Sequence, residues 1–427
     1  MPANSFPAPL AEMAWRGLLH QYTEGIEEWL AGDSRSAYCG FDPTAPSLHV
    51  GNLIPVMGLV HLQRGGHRPV IVVGGGTGMI GDPSGKTAER QLNSVEVVEA
   101  NSGAIRSQLE RFISFDGPRG AITRNNADWL RPLAAIEFLR DVGKHFSVNV
   151  MLAKESVRSR LEGGISFTEF SYMLLQAYDF LELRRRDDVS LQIGGSDQWG
   201  NITAGIDLIR RVVSLEAHGF TVPLVTTAGG TKFGKTEAGS VWLDAERTSP
   251  YRFYQFWVNA DDRDVPRWLR FFTLMPREQI GALERDLEAH PEQRLPQQAL
   301  AAEVTTRVHG AAAASVAAEL SALLFGKADV TALSSSALDA LAGEVPFATV
   351  ARPGTDESEL DVLELFTVVG LVTSRGGARR LLEQGGLSVN GRKLAADERQ
   401  LAPDGLLPGG HLLLRKGARD YGLVRVV

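Results

Sequence analysis

A chain of 427 residues is long enough for two to four domains, each able to bury a core of its own. With 44% hydrophobic and 22% charged residues, and no run of 18 apolar residues, it reads as a globular protein without a membrane span. A net charge of −7 argues against a protein that coats nucleic acid, and a single cysteine, Cys39, excludes an internal disulfide and fits a reducing cytoplasm.

In chain order, Met1 to Pro9 holds three prolines and no basic residue, which is unlike a signal peptide. Leu10 to Leu30 has helical spacing. Ser36 to Phe41 is a short predicted strand ending in the turn Asp42-Pro43-Thr44. From His49 to Arg64 the spacing of Leu53, Val56, Met57 and Val60 is helical, and Gly65-Gly66 stops it. Pro69 to Val73 is an apolar, β-branched run of the kind found in buried parallel strands. This strand–helix–strand order predicts an α/β fold, a doubly wound parallel sheet of the Rossmann-like kind. Residues 90–150 and Phe167 to Leu183 read as mainly helical, and Ser190 to Ile193 as a strand followed by the turn Gly194-Gly195-Ser196.

The character changes after Ser249. Residues 1–249 are expected to form the sheet-bearing domain with a helical insertion, and 250–345, rich in alanine over Ala311 to Leu323, an α-helical domain. The span 346–360, with prolines and a Gly-Thr-Asp-Glu stretch, reads as a linker. Residues 361–427 then pair one helix, about Ser374 to Gln384, with strands near Leu387–Val389, Leu412–Arg415 and Leu423–Val427. From Gly370 onward there are 10 Lys and Arg against 5 Asp and Glu, a local +5 on an acidic chain. Contact with a polyanion and a chance excess on a solvated surface both fit that asymmetry.

Two glycine-rich runs match nucleotide motifs in letters only. Gly76-Thr77-Gly78-Met79-Ile80-Gly81 follows a strand as a dinucleotide fingerprint should, yet runs into the turn residues Asp82-Pro83-Ser84-Gly85 instead of a helix. Gly229 to Thr236 matches the P-loop pattern, but Glu237-Ala238-Gly239-Ser240-Val241-Trp242 is strand or loop where a P-loop needs a helix N-terminus. Lysines flanking a glycine still suit a phosphate, so the binding chemistry outlives the motif class.

The residues that carry chemistry lie elsewhere. His49 and Asn52 open a predicted helix, where free amides and the helix dipole favour an anion; a helix cap with a surface histidine is the plainer reading. Gly51 would let a ligand approach the backbone there. Tyr172, Gln176 and Asp179 share one face of an otherwise apolar helix, as a pocket wall or as a solvated face. Gly194 to Asn201 places many hydrogen-bonding groups at a strand exit, where α/β sheets bind ligands. No Ser-His-Asp or Cys-His arrangement and no metal-ligand spacing stands out. The implied chemistry is phosphate positioning rather than covalent catalysis.

Together the motifs resemble the bacterial tyrosyl-tRNA synthetases of class I, over nearly the whole chain. Cys39 to Thr44 with Ser47 to Asn52 resembles the family's first signature, and Lys232-Phe233-Gly234-Lys235-Thr236 its second, the mobile loop. Gly81 to Lys86, Phe167 to Tyr172 and Gly194 to Asn201 add specificity, and 361–427 resembles an S4-like RNA-binding domain. The resemblance implies tyrosine activation by ATP, with Mg²⁺ carried on the ATP phosphates and no protein-bound metal, then transfer to tRNA(Tyr). It also implies a cytoplasmic homodimer.

Tyrosine would be held by Tyr38 and Asp179 at its hydroxyl, and by Asp82, Tyr172 and Gln176 at its ammonium. Gln198, Asp42 and Asp197 would line the site around carboxylate and ribose. Thr44, His49, Gly51, Asn52 and Gly195 would meet ATP, while Lys86, Arg90, Lys232 and Lys235 would close over the leaving pyrophosphate. Arg375, Arg379, Arg380, Arg392 and Lys393, with Arg210 and Arg211, would contact tRNA. One departure is visible: the first signature often ends in His, and here it ends in Asn52. Two rivals stay open, a tryptophanyl enzyme and a non-catalytic RNA-binding protein on the same scaffold.

Overall fold

Six strands build the sheet on which the candidate site rests. The computed structural model describes residues 9–84, 93–158, 160–161, 163–236, 239–325, 329–352, 359–402 and 405–427. Chain contacts divide it into two compact units, one of Met1–Ser249 with Phe256–Val308, the other of Pro250–Gln255 with His309–Val427. The segment 250–345, read above as one helical domain, is thus shared between the two.

In the first unit the strands are β1 (Gln21–Tyr22), β2 (Ser36–Phe41), β3 (Arg68–Val73), β4 (Ile122–Asn125), β5 (Val189–Gly195) and β6 (His218–Val222). Their order across the sheet is β1-β6-β5-β2-β3-β4. All neighbours run parallel except the edge pair β1 and β6. From β2 the chain winds outward through β3 and β4, then returns to the other side of β2 as β5. That reversal between β2 and β5 is the switch point, and a doubly wound sheet opens a crevice beyond the strand ends there. Tyr38 in β2 stands between Val70 of β3 and Gln192 of β5, at the centre of this arrangement.

Helix α1 (Leu53–Arg64) is apolar nearly all round and almost wholly buried, as a helix enclosed by a sheet must be. Helix α2 (Phe167–Asp187) is capped by Ser166, whose hydroxyl accepts the Glu169 amide, and packs against α3 (Trp199–Val213). Tyr38, Val70, Val72, Trp129 and Phe180 meet in the core between sheet and helices.

Two expectations fail locally. The helix expected over Leu10 to Leu30 is broken into Pro9–Arg16 and Ile26–Ala31, because β1 between them pairs antiparallel with β6. Tertiary pairing outweighs local spacing there. The region 90–150 holds the helix Val95–Leu109 and several short ones, but also β4, whose sequence Ile-Thr-Arg-Asn has no apolar run to announce it.

In the second unit, β9 (Phe347–Val350), β10 (Leu387–Val389), β11 (Arg392–Lys393), β12 (His411–Lys416) and β13 (Asp420–Val426) form a sheet ordered β11-β10-β12-β13-β9; β7 (Lys235–Thr236) and β8 (Gly239–Ser240) are a small hairpin in the first unit. Strand β9 falls in the span read as a linker and pairs parallel with β13. The helix Arg375–Glu383 matches the predicted one. Leu320, Leu323, Leu338 and Leu341 share a core with Leu413, Tyr421 and Leu423, so the alanine-rich helices and the sheet of this unit fold as one body.

Candidate active site

A cavity of about 630 Å³ opens at the carboxyl ends of the strands, and each strand exit sends a polar residue into its walls. Asp42 follows β2, Thr77 follows β3, Asn126 follows β4, and Asp197 and Gln198 follow β5. Tyr38, Thr44, His49, Gly51, Asn52 and Asp82 also line it, as do Tyr172, Gln176, Asp179, Gly195 and Lys232. Residues nearly two hundred positions apart are thereby brought to one space. Lys235 is exposed three residues beyond Lys232, and Lys86 and Arg90 lie outside the described residues.

At the deep end the polar atoms form a continuous chain. The Tyr172 hydroxyl donates to Asp42 Oδ2 at 2.8 Å, and Thr77 Oγ1 donates to Asp42 Oδ1 at 2.7 Å. Asn126 Nδ2 reaches both Thr77 Oγ1 and Asp179 Oδ2 at 2.9 Å, and Trp129 Nε1 donates to Asp179 Oδ1 at 2.7 Å. A Cβ on Gly74 would stand 2.1 Å from Asp42 Oδ1 and 2.5 Å from Thr77 Oγ1, so only glycine leaves this chain intact.

Asp179 is 4% exposed, and burial pushes its carboxyl up to about 7 against the pull of the two donors. Tyr38, 1% exposed, has a hydroxyl with no hydrogen-bond partner among the described residues. Burial, and then the charge of Asp179, push its phenol well above the usual range. A buried hydroxyl without a partner is costly, and such groups mark places where a ligand completes the bonding.

Around this core, Gln198 Nε2 donates to Asp82 Oδ2 at 2.6 Å, and Asn201 Nδ2 donates at 3.0 Å to both Gln176 Oε1 and Gln198 Oε1. Burial and then the charge of Asp82 raise Asp197 above its ordinary range, and Lys232 draws it back.

The outer end is built from backbone. His49 caps the turn Val50–Asn52: its Nδ1 accepts the Gly51 amide at 3.1 Å, while Asn52 Oδ1 accepts the His49 amide at 3.0 Å. Capping and cavity lining are therefore the same geometry, not rival readings. Val50 N donates to Val241 O at 3.0 Å, and Val241 N donates to Gly234 O at 3.0 Å. The two signature loops are thus joined through the one residue Val241. The hairpin β7–β8 follows the lysines where a P-loop would place a helix. The run from Gly76 likewise leads into a short turn, Thr77–Met79.

In the second unit Arg375 pairs with Asp361 and Glu364, and Arg392 with Glu398. Arg379, Arg380 and Lys393 are exposed and make no ion pair with the described residues. In the first unit Arg210 and Arg211 both lie beside Asp207 on the surface of α3. Sequence reasoning missed Thr77, Asn126 and Trp129 as site residues, and gave Asn201 no role of its own. Thr77 lay inside the glycine run set aside as a decoy, and Asn126 follows the unannounced strand β4.

Comparison with known proteins agrees with this geometry. Residues 32–326 match the family of tRNA synthetases class I (W and Y), and residues 338–424 match the tyrosine–tRNA ligase SYY-like C-terminal domain. The tyrosine–tRNA ligase of Anaeromyxobacter dehalogenans is 54% identical over 417 residues, covering 98% of this chain and 99% of that one. That of Geobacillus stearothermophilus is 50% identical over 420 residues, covering 97% and 99%. Among solved structures, a C-terminally truncated mitochondrial tyrosyl-tRNA synthetase of Aspergillus nidulans superposes with a TM-score of 0.68 at 29% identity, over 75% of this chain and 95% of that one. A tryptophanyl-tRNA synthetase of Plasmodium falciparum, at 12% identity and a TM-score of 0.52, shares the fold. With two family matches that follow the chain from residue 32 to residue 424, and relatives half identical along its length, this chain belongs to the class I tyrosyl-tRNA synthetases, the tyrosine–tRNA ligases.

Proposed function

We propose that the two ends of the cavity divide the tyrosine–tRNA ligase reaction between them. The observation that carries this reading is the pairing of an unpartnered buried hydroxyl on Tyr38 with the buried carboxylate of Asp179. Each Asp179 oxygen accepts one protein donor, and a carboxylate has room for about four hydrogen bonds. A phenol entering there donates to Asp179 and accepts from Tyr38. Phenylalanine leaves the Tyr38 hydroxyl unpaired and gives Asp179 no bond beyond those from Asn126 and Trp129. An indole N–H could meet Asp179, but it leaves the Tyr38 hydroxyl without an acceptor.

The substrate ammonium needs acceptors, and Asp82, the Tyr172 oxygen and Gln176, which line the same pocket, supply them. Gln198, Asp42 and Asp197 then border the carboxylate and the ribose. In the first step the tyrosine carboxylate attacks the α-phosphorus of ATP and pyrophosphate leaves. The nucleophile is already an anion, so alignment and charge neutralisation are what the protein must supply. Thr44, His49, Gly51, Asn52 and Gly195 line the nucleotide side. Lys232 and Lys235 face the departing pyrophosphate, and Lys86 and Arg90 are assigned there from the sequence alone. Magnesium, carried on the ATP phosphates, would supply charge neutralisation there. No group of three His, Cys, Asp or Glu among the described residues is placed to hold a metal ion. In the second step a ribose hydroxyl of the terminal adenosine of tRNA(Tyr) attacks the tyrosyl carbonyl of the adenylate, forming the ester as the acyl–phosphate bond breaks and AMP leaves.

We assign the second unit to tRNA binding through Arg375, Arg379, Arg380, Arg392 and Lys393, with Arg210 and Arg211 on the acceptor side. Of these, Arg379, Arg380 and Lys393 make no ion pair among the described residues, and they carry most of the assignment. A homodimer is supported by the apolar residues exposed between 136 and 167, where Ile136 is 75% and Phe167 77% exposed, with Leu139, Val148 and Val150 also exposed. The described residues contain no helix long and apolar enough to cross a membrane, and we place the enzyme in the cytoplasm.

Exchange of labelled pyrophosphate into ATP with tyrosine, tryptophan or phenylalanine tests the reading. Exchange with tyrosine alone is expected. Exchange with tryptophan would reassign the pocket, and none from folded protein that binds tRNA would favour an RNA-binding role.

A further inference from the structure

Between the two exposed lysines of the second signature sits a residue turned the other way. Phe233 is 4% exposed and enters a box of four aromatic rings. Phe272 stacks on it at 5.1 Å with planes 14° apart, and Trp268 meets its edge at 4.9 Å. Phe256 and Trp257 close the remaining sides at 5.5 and 5.7 Å. On the opposite flank Gly234, at φ +77°, brings the main chain so near the turn Val50–Asn52 that a Cβ would stand 2.6 Å from Val50 Cγ2. The Phe233 amide donates to Val225 O at 3.1 Å, just past the end of β6.

This stretch has a two-residue hairpin and one bridge, Lys232 to Thr226, for regular structure, so its course is fixed by few contacts. The aromatic seat is the largest of them, and the turn Lys232–Lys235 pivots on it.

We propose that Phe233 is the positioning residue of the pyrophosphate-facing loop, its ring seated in the Phe256–Trp257–Trp268–Phe272 box so that Lys232 and Lys235 flank the leaving group. This rests on the assignment of the two lysines given above. The seat acts on the step in which charge grows on the phosphates and leaves tyrosine binding alone, since Phe233 makes no contact with the Tyr38–Asp179 chain. Small displacements of such groups are costly, because alignment supplies much of the rate.

The test uses the full chain and four readings: the single-turnover rate of tyrosyl-adenylate formation at saturating ATP and tyrosine, tyrosine affinity by equilibrium dialysis, the KM for ATP, and thermal unfolding. Phe233→Ala is expected to slow adenylate formation about 100-fold, and Phe233→Met, which refills the box, less than about tenfold. Phe272→Leu, which alters the seat from outside the cavity lining, is expected to slow it about tenfold. Tyrosine affinity is unchanged in all three. Wild-type rates in folded Phe233→Ala and Phe272→Leu, or tyrosine affinity falling in step with the rate, would overturn the proposal. Lys232→Ala and Lys235→Ala run alongside. If they too react at the wild-type rate, the lysine assignment itself is wrong; if they are slow and the Phe233 and Phe272 variants are not, only the seat is.

Discussion

The inner and outer ends of the cavity solve opposite problems. At the inner end, Tyr172, Asp42, Thr77, Asn126, Asp179 and Trp129 are linked atom to atom, and all but the half-buried Asp42 are shielded from water. At the outer end, Thr44, Lys232 and Lys235 are exposed and His49 and Asn52 half-buried, over a backbone fixed by Val50, Val241 and Gly234. A buried polar group left without a partner is expensive, so the inner end discriminates. An exposed cation is screened until a ligand excludes water, so the outer end acts only once the phosphates are in place.

The sharpest way to break this contrast is Asp179→Ala. It should lower kcat/KM for tyrosine by about 100-fold or more, the loss of a buried, charge-assisted bond, and abolish the preference for tyrosine over phenylalanine. A preserved preference in steady-state aminoacylation would remove Asp179 from the pocket. Next comes Asn126→Ala, which takes one donor from both Asp179 and Thr77. A fall of about 1–3 kcal/mol in transition-state stabilisation, confined to kcat/KM for tyrosine, is expected. An equal loss in the KM for ATP would mean that the two ends are not separable.

Asp179 also leaves a mark on stability. Its folded carboxyl titrates near pH 7 and an ordinary one near 3.8, so the unfolded chain ionises first as pH rises. The favourable contribution is therefore complete below about pH 4 and is lost as pH climbs through about 7. Denaturation midpoints of wild type and Asp179→Asn, compared from pH 4 to 8, should show this slope in the wild type and its absence in the variant. Identical slopes would assign the pH dependence elsewhere. The smallest effect is that of salt. Raising it should increase the KM for ATP, through screening of the exposed Lys232 and Lys235, and leave the KM for tyrosine nearly constant.

Much of this site was legible in the sequence because its residues sit in short motifs at strand exits. Asp42, His49, Asn52, Tyr172, Asp179 and Gln198 all line the cavity expected of them. The strand β3 announced itself by its β-branched run, and β2 and β5 by the turns that follow them. What stayed hidden depends on partners far along the chain. β4 is a strand because β3 lies beside it, β1 because β6 does, and β9 because β13 does. Asn126 and Trp129, both beyond β4, could not be placed without it. The burial of Phe233 was equally invisible: its four neighbours come from residues 256–272, and nothing in Lys-Phe-Gly-Lys-Thr distinguishes a ring that is seated from one that is exposed.

The single residue Val241 takes a hydrogen bond from one signature loop and gives one to the other. For anyone recombining synthetases, that makes three stretches inseparable: the segment around His49, the lysine turn, and the segment through Val241 and Trp242. Exchanging either signature alone between homologues would break a register that only the third stretch maintains, so the unit of transplantation is the trio.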